Sequence, residues 1–329
     1  MIDFSPRNFR MWSIMGVNPS IWSVAFPEIL ESDPRAVALT ADLCRYSGMA
    51  RTWAKYPDRF TNVGIAEQNM VGIGAGMALC GDHVYMTTYA PFMTYRCADQ
   101  FRHFFGNHGL NIKAIGSAAG LNAGLSGSAL LAVGDVAFAR TVPNLTVFSP
   151  ADCTEAIKTV LAMGAMRGPA YMRFCASVNV PMVYKQDYEF QVGKARQVRE
   201  GEKILIIATG MTIVSDACLA AEIVAKETGV SPAVVNFATI KPLDADYLER
   251  VASKFDRIYV VEEHSIVGGL GSAVAEYAAE CECFPTLVRL GIPESKLEMG
   301  GRPYMLKQCG LSAEQLAQRI IAELKGVKS

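Results

Sequence analysis

The chain has 329 residues, 51% of them hydrophobic and 19% charged, with a formal net charge of −1 at pH 7. That balance lacks the basic surplus of a nucleic-acid binder, and no apolar run approaches the ~20 residues a membrane-spanning helix needs. The nine cysteines include no Cys-x-x-Cys pair and the four histidines are scattered, so no clustered metal site is expected. Asp3 lies near the start with no continuous apolar segment around it, so the expectation is a cytoplasmic protein with reduced thiols. The length suggests two domains of roughly 150 residues each.

In chain order, four short apolar runs come first: Ala36–Thr40, Val84–Tyr89, Ile112–Ile115 and Leu145–Phe148. They have the length and β-branched content of buried strands, and segments of helical spacing separate them. That alternation implies a parallel sheet in an α/β fold. Asn144-Leu145-Thr146 matches a glycosylation sequon in form, but without a secretory signal it reads as a strand entry. From about Cys175 to Gly201 the chain turns polar and irregular, with Pro181 and a mixed Lys185–Glu189 segment, which marks a linker. Ile204–Gly210, Ala233–Phe237 and Ile258–Glu263 then alternate with helical segments as a second βαβ block. The expected division is residues 1–180 with an N-terminal helical extension, a linker over 181–200, and a second domain over 201–329.

Two stretches carry chemistry. Asn62-Val63-Gly64-Ile65-Ala66-Glu67-Gln68-Asn69-Met70 sets one carboxylate among apolar and small residues where a helix is expected to begin. Gly72, Gly74, Gly76 and Ala78 then give that helix a small, closely packable face, with a spacing that is no dinucleotide fingerprint. The helix dipole alone explains an acid in a first turn. The chemical reading is a carboxyl in dry surroundings that shares a proton instead of remaining a solvated anion. Tyr89-Ala90-Pro91-Phe92-Met93-Thr94-Tyr95-Arg96 follows a strand. Its aromatic rings suit either ordinary core packing or stacking on a flat heteroaromatic ligand.

The Gly64–Asn69 wording, Tyr89–Arg96, Asp99-Gln100, Ala208-Thr209-Gly210, Ile240–Asp244 and Val261–His264 followed by Gly268–Ser272 resemble the transketolase family, including deoxyxylulose-phosphate synthases and split transketolases. The resemblance spans most of the chain. It implies two consecutive doubly wound α/β domains, a mainly parallel pyrimidine-binding domain and a smaller C-terminal-like domain. It also implies thiamine diphosphate as cofactor, with Glu67 as the catalytic carboxyl. That group hydrogen-bonds the aminopyrimidine and favours the imino tautomer that takes the thiazolium proton. Phe92 then stacks on the ring, with Tyr89, Tyr95 and Ile65 as neighbours in the cofactor pocket. His103 stands either as a substrate contact or as a surface or capping residue. The C-terminal domain is expected to support assembly, so His264 receives no catalytic role, and Gly268–Gly271 reads as a tight connection or a ligand-approaching turn.

Two departures from the family pattern matter. Gly-Asp occurs only at Gly81-Asp82 and Gly134-Asp135, neither followed by Gly, so the family's Gly-Asp-Gly metal motif is missing. Mg²⁺ or Ca²⁺ and the diphosphate are therefore expected on a separate N-terminal transketolase-like subunit, in a heterodimer or heterotetramer acting on a small molecule. Sugar-processing relatives read Asp-Gly-x-Thr-His-Gln where this chain has Ser126-Gly127-Ser128-Ala129-Leu130-Leu131. Leu130 stands for the His, Ser126 for the acid, and Ala118 for a polar or basic position. Each group left unpaired on a bound sugar phosphate costs about 1–3 kcal/mol, which predicts a smaller or less polar donor. Three classes stay open: a carboligase subunit transferring a two-carbon ketol or acyl unit, the beta subunit of a 2-oxo-acid dehydrogenase, and a non-catalytic paralogue. The Glu262-Glu263-His264 and glycine wording favours transketolase over the second class. Retention of Glu67 and Phe92 argues against the third, and the altered Ser126–Leu131 segment argues for it.

Overall fold

The computed structural model describes residues 2–175, 178–295 and 297–326. Six parallel strands build the first sheet: β1 (Ala36–Thr40), β2 (Phe60–Asn62), β3 (His83–Tyr89), β4 (Ile112–Ser117), β5 (Thr146–Phe148) and β6 (Ala170–Arg173). Their spatial order is β5-β6-β4-β3-β1-β2. All four apolar runs read from the first half of the sequence become strands. β2 is too short to show a pattern, and β6 carries a buried arginine that breaks its apolar run.

Successive residues of each strand feed opposite layers, the period-two geometry of a pleated chain. Leu39, Met86 and Ala114 join Val71, Phe101 and Phe105 on one face. Ala38, Tyr85 and Ile115 join Trp12, Trp22 and Phe26 from the N-terminal helices on the other. Both faces are covered, which is why these strands read as continuous apolar runs.

The second sheet holds β7 (Arg196–Arg199), β8 (Lys203–Thr209), β9 (Ala233–Asn236), β11 (Phe255–Ser265) and β12 (Thr286–Ile292), in the order β12-β11-β8-β9-β7. All neighbours are parallel except β7, which runs antiparallel to β9. β7 lies inside the stretch expected to be a linker, so the second sheet begins before residue 201. Between β9 and β11, β10 (Thr239–Lys241) leaves its own block and pairs antiparallel with β5 as the seventh strand of the first sheet. Lys241 Nζ reinforces the crossing by donating to the carbonyl of Arg140 at 3.0 Å. The two α/β units are thus stitched by a shared sheet, and one apolar cluster runs through Val147, Ile240, Leu248 and Val235.

In the first sheet, the chain leaves β1 toward β2 and leaves β3 toward β4, although β1 and β3 are neighbours. Such a reversal opens a crevice beyond the carboxyl ends of the two strands, where ligands bind in open α/β sheets.

Candidate active site

Of the residues singled out for chemistry, Glu67 and Phe92 follow β2 and β3, the strands on either side of β1. Glu67 opens the helix Glu67–Leu79, which follows β2, and Phe92–Arg96 forms a π-helical turn after β3. The small face expected on the Glu67 helix is divided. Gly74 faces the sheet, where an added Cβ would come 2.5 Å from Met86 Cε, whereas Gly72 and Gly76 lie exposed on the outer side.

Glu67 is buried, 4% exposed, but it is not the isolated carboxylate read from its neighbours. Arg96 Nη1 donates to Glu67 Oε2 at 2.9 Å, and the same guanidinium carbon lies 3.9 Å from the centre of the Phe92 ring. Gln68 Nε2 donates to the carbonyl of Arg96 at 2.9 Å, which fixes the backbone from which the arginine reaches in. The Glu67 charge is felt next door: burial first, then Glu67, pushes the Cys97 thiol up to about 12. Tyr89 completes the group, its ring centre 6.0 Å from that of Phe92. Its phenol is raised by burial and, secondarily, by Tyr46 from the loop after β1.

The other expected site residues are dispersed. Ile65 is 79% exposed beside Glu67. Tyr95 turns its hydroxyl to accept from the amide of Gly134 at 2.6 Å, at the start of the helix Asp135–Thr141. Ala118 sits just past the end of β4 with a left-handed φ of 52°. Ser126 is exposed and Leu130 half-buried, on the successive 3₁₀ turns Gly124–Ser126 and Ser128–Leu130. Their neighbour Leu131, partly buried, packs against the second unit's core. His103 is exposed and its Nε2 lies 3.2 Å from Nε2 of His108, and among the described residues it makes no hydrogen bond to the Glu67 group.

At the seam between the units lie Arg173, Asp135 and Arg302, which were missed in the sequence, and Glu262, Glu263 and His264, whose motif was visible but whose structural tasks were not. Arg173 forms a buried ion pair with Asp135 at 3.0 Å and donates to the carbonyl of Glu263. Glu263 accepts from the amide of Leu121 at 2.8 Å and pairs with Arg302. Glu262 accepts from the amides of Leu270 and Gly271, capping the helix Leu270–Ala279. At Gly269 an added Cβ would lie 2.1 Å from Glu262 Oε2, so a larger residue there would push the capping carboxylate out of place. His264, fully buried, accepts from the amide of Ala137 at 3.2 Å. A charged residue inside an apolar strand was the available signal, because such a charge is buried only with a partner.

The arrangement suits a flat, hydrogen-bonding heteroaromatic ring: a buried carboxylate for its edge, an aromatic face beside it, and Arg96 bridging both. Among the described residues, no three His, Cys, Asp or Glu side chains are grouped to hold a metal ion, and no helix is long and apolar enough to cross a membrane.

The family model for the transketolase pyrimidine-binding domain matches residues 20–178, and that for the transketolase C-terminal domain matches residues 193–316. The chain belongs to the transketolase family. It is 35% identical over 291 residues to a 6-deoxy-6-sulfo-D-fructose transketolase subunit from a Clostridium species, covering 88% of this chain and 89% of the relative. A 1-deoxy-D-xylulose-5-phosphate synthase from Caldanaerobacter subterraneus is 31% identical, covering 94% of this chain but only 49% of the synthase. Among solved structures, a split-gene transketolase described as an inactive beta4 tetramer superposes with a TM-score of 0.81 at 30% identity, covering 93% of this chain and 98% of that one.

Proposed function

We propose that this transketolase-family chain is the pyrimidine-side subunit of a split, thiamine-diphosphate-dependent transferase of two-carbon ketol or acyl units. It works with a partner chain that carries the diphosphate and its Mg²⁺ or Ca²⁺. The observation that carries this reading is Glu67: a buried carboxylate beside the Phe92 ring, at the crevice between β1 and β3. Bound thiamine diphosphate supplies the carbon chemistry. The protein's part is to hold a proton between Glu67 and the ring nitrogen and to present Phe92 and Tyr89 to the ring's face. The 6-deoxy-6-sulfo-D-fructose transketolase relative is itself named a subunit and is matched over 89% of its length, which supports a partner chain. The similar split-gene transketolase is described as an inactive beta4 tetramer, in keeping with a half-site that needs completion.

Within this reading, half-buried Leu130 and Ala118 and exposed Ser126 favour a compact donor such as a short 2-oxo acid or an unphosphorylated ketol. A donor panel that includes 6-deoxy-6-sulfo-D-fructose and xylulose phosphate tests this, with carbon–carbon bond formation as the readout. Efficient use of xylulose phosphate contradicts it. Calorimetric titration of thiamine diphosphate and Mg²⁺ tests the split assignment. Weak binding by the chain alone and tight binding after addition of a Gly-Asp-Gly-bearing partner are expected. Tight, metal-dependent binding by the lone chain overturns it.

A further inference from the structure

The Arg96 guanidinium engages at once the two groups that the proposed function reserves for the aminopyrimidine. It donates to Glu67 Oε2 at 2.9 Å and stacks 3.9 Å over the centre of Phe92. A guanidinium is planar, delocalised and rich in N–H donors, so it meets a carboxylate with its edge and an aromatic ring with its face. An aminopyrimidine offers the same combination of edge and face. We propose that Arg96 is an internal stand-in for the cofactor ring: it occupies the pyrimidine position of the cofactor-free chain, and the ring must displace it to bind. This inference rests on the thiamine-diphosphate reading and adds a competitor to it.

Burial separates the mobile member of the pair from the fixed one. The Glu67 side chain is 5% exposed and that of Arg96 44%, so the arginine reaches in from solvent and returns there with little desolvation change. Glu67 has no such freedom. Without a cation its carboxylate would be desolvated and unpaired, a costly state that Arg96 relieves until the ring arrives. The Gln68 bond to the Arg96 carbonyl holds the backbone, so release is a rotamer change of one side chain. Four-residue spacing from Phe92 to Arg96 within one helical turn sets the ring and the guanidinium together.

The experiment uses the full chain and 4-amino-5-hydroxymethyl-2-methylpyrimidine, a probe that presents the ring without needing a diphosphate site. In ¹⁵N-arginine-labelled protein, saturating probe is expected to move the Arg96 guanidinium signal to that of a solvated arginine. By calorimetry, Arg96→Gln is expected to bind the probe about tenfold tighter than wild type, the loss of one half-exposed ion pair and one cation–π contact. Arg96→Lys, which keeps the charge without the planar fork, is expected to fall between them. An unmoved Arg96 signal at saturation overturns the inference, as does equal or weaker binding by a folded Arg96→Gln. The wild-type signal decides the matter should that variant fail to fold. If the probe binds and Arg96 stays in place, the stand-in role alone fails. If the probe binds neither wild type nor any Arg96 variant, the cofactor reading fails with it.

Discussion

Glu67 and Glu263 are buried alike, at 4% and 2% exposure, yet the chain treats the two charges differently. Both oxygens of Glu263 are committed, to the amide of Leu121 and to Arg302, in a seam that joins the two α/β units. Glu262 and Glu155 follow the same rule, each accepting from at least one backbone amide with both oxygens in use. Glu67 accepts from no backbone amide among the described residues, and its one partner is a half-exposed arginine that bonds only Oε2. A buried carboxylate kept for structure is fully engaged by groups that cannot leave. One kept for chemistry retains an oxygen for a ligand and a partner able to step aside.

The seam is the place to break this contrast from the structural side. Glu263→Ala strands the Arg302 guanidinium and the Leu121 amide. Loss of one member of a buried pair costs about 3–5 kcal/mol, a drop in Tm on the order of 10 °C by calorimetric melting. Glu67→Gln is expected to shift Tm far less, because solvent can receive Arg96. A larger loss at Glu67 than at Glu263 would reverse the assignment of roles.

Phe92→Ala sharpens the other side. Losing the ring face removes roughly 1 kcal/mol or more of stacking, so cofactor affinity in the assembled complex is expected to fall about tenfold at unchanged Tm. Normal affinity in that variant counts against stacking at Phe92.

The smallest effect concerns pH. Burial, and then the neighbouring Asp152 charge, pushes the Glu155 carboxyl up to about 7, with hydrogen bonds from Ala151, Tyr188 and Asn236 acting against the rise. The folded pKa lies above the unfolded one, so the stability this proton contributes is complete at low pH and is lost as pH rises through about 7. Glu155→Gln is expected to remove part of the decline in Tm between about pH 5 and about pH 8, amounting to a few degrees. A wild-type-like slope in the variant contradicts this origin.

Much of the scaffold was legible because both faces of a parallel sheet are buried and its strands read as apolar runs. Lys203–Thr209 and Ile112–Ser117 are plain examples. β10 was not legible, since three residues carry no period and its partner β5 lies about ninety positions upstream. Glu67 stood out because a charge among small apolar residues at a helix start is conspicuous. Its partner did not, although Arg96 follows Phe92 at a helical spacing, because the π-helical turn that aims it back at Glu67 is set by tertiary packing. Glu262, Glu263 and His264 were visible as a motif, but their structural tasks depend on Leu121, Ala137, Leu270 and Arg302, which only the folded chain brings near.

The most direct test of the central claim, that Glu67 is the carboxyl this site is built around, is proton exchange at the reactive thiazolium carbon of bound thiamine diphosphate. The measurement is made by NMR in the complex assembled with the partner chain. Glu67→Gln is predicted to slow that exchange by about 10²–10⁴-fold while partner association and Tm stay near wild type. An exchange rate in Glu67→Gln equal to that of the wild type would remove Glu67 from the chemistry and contradict the account.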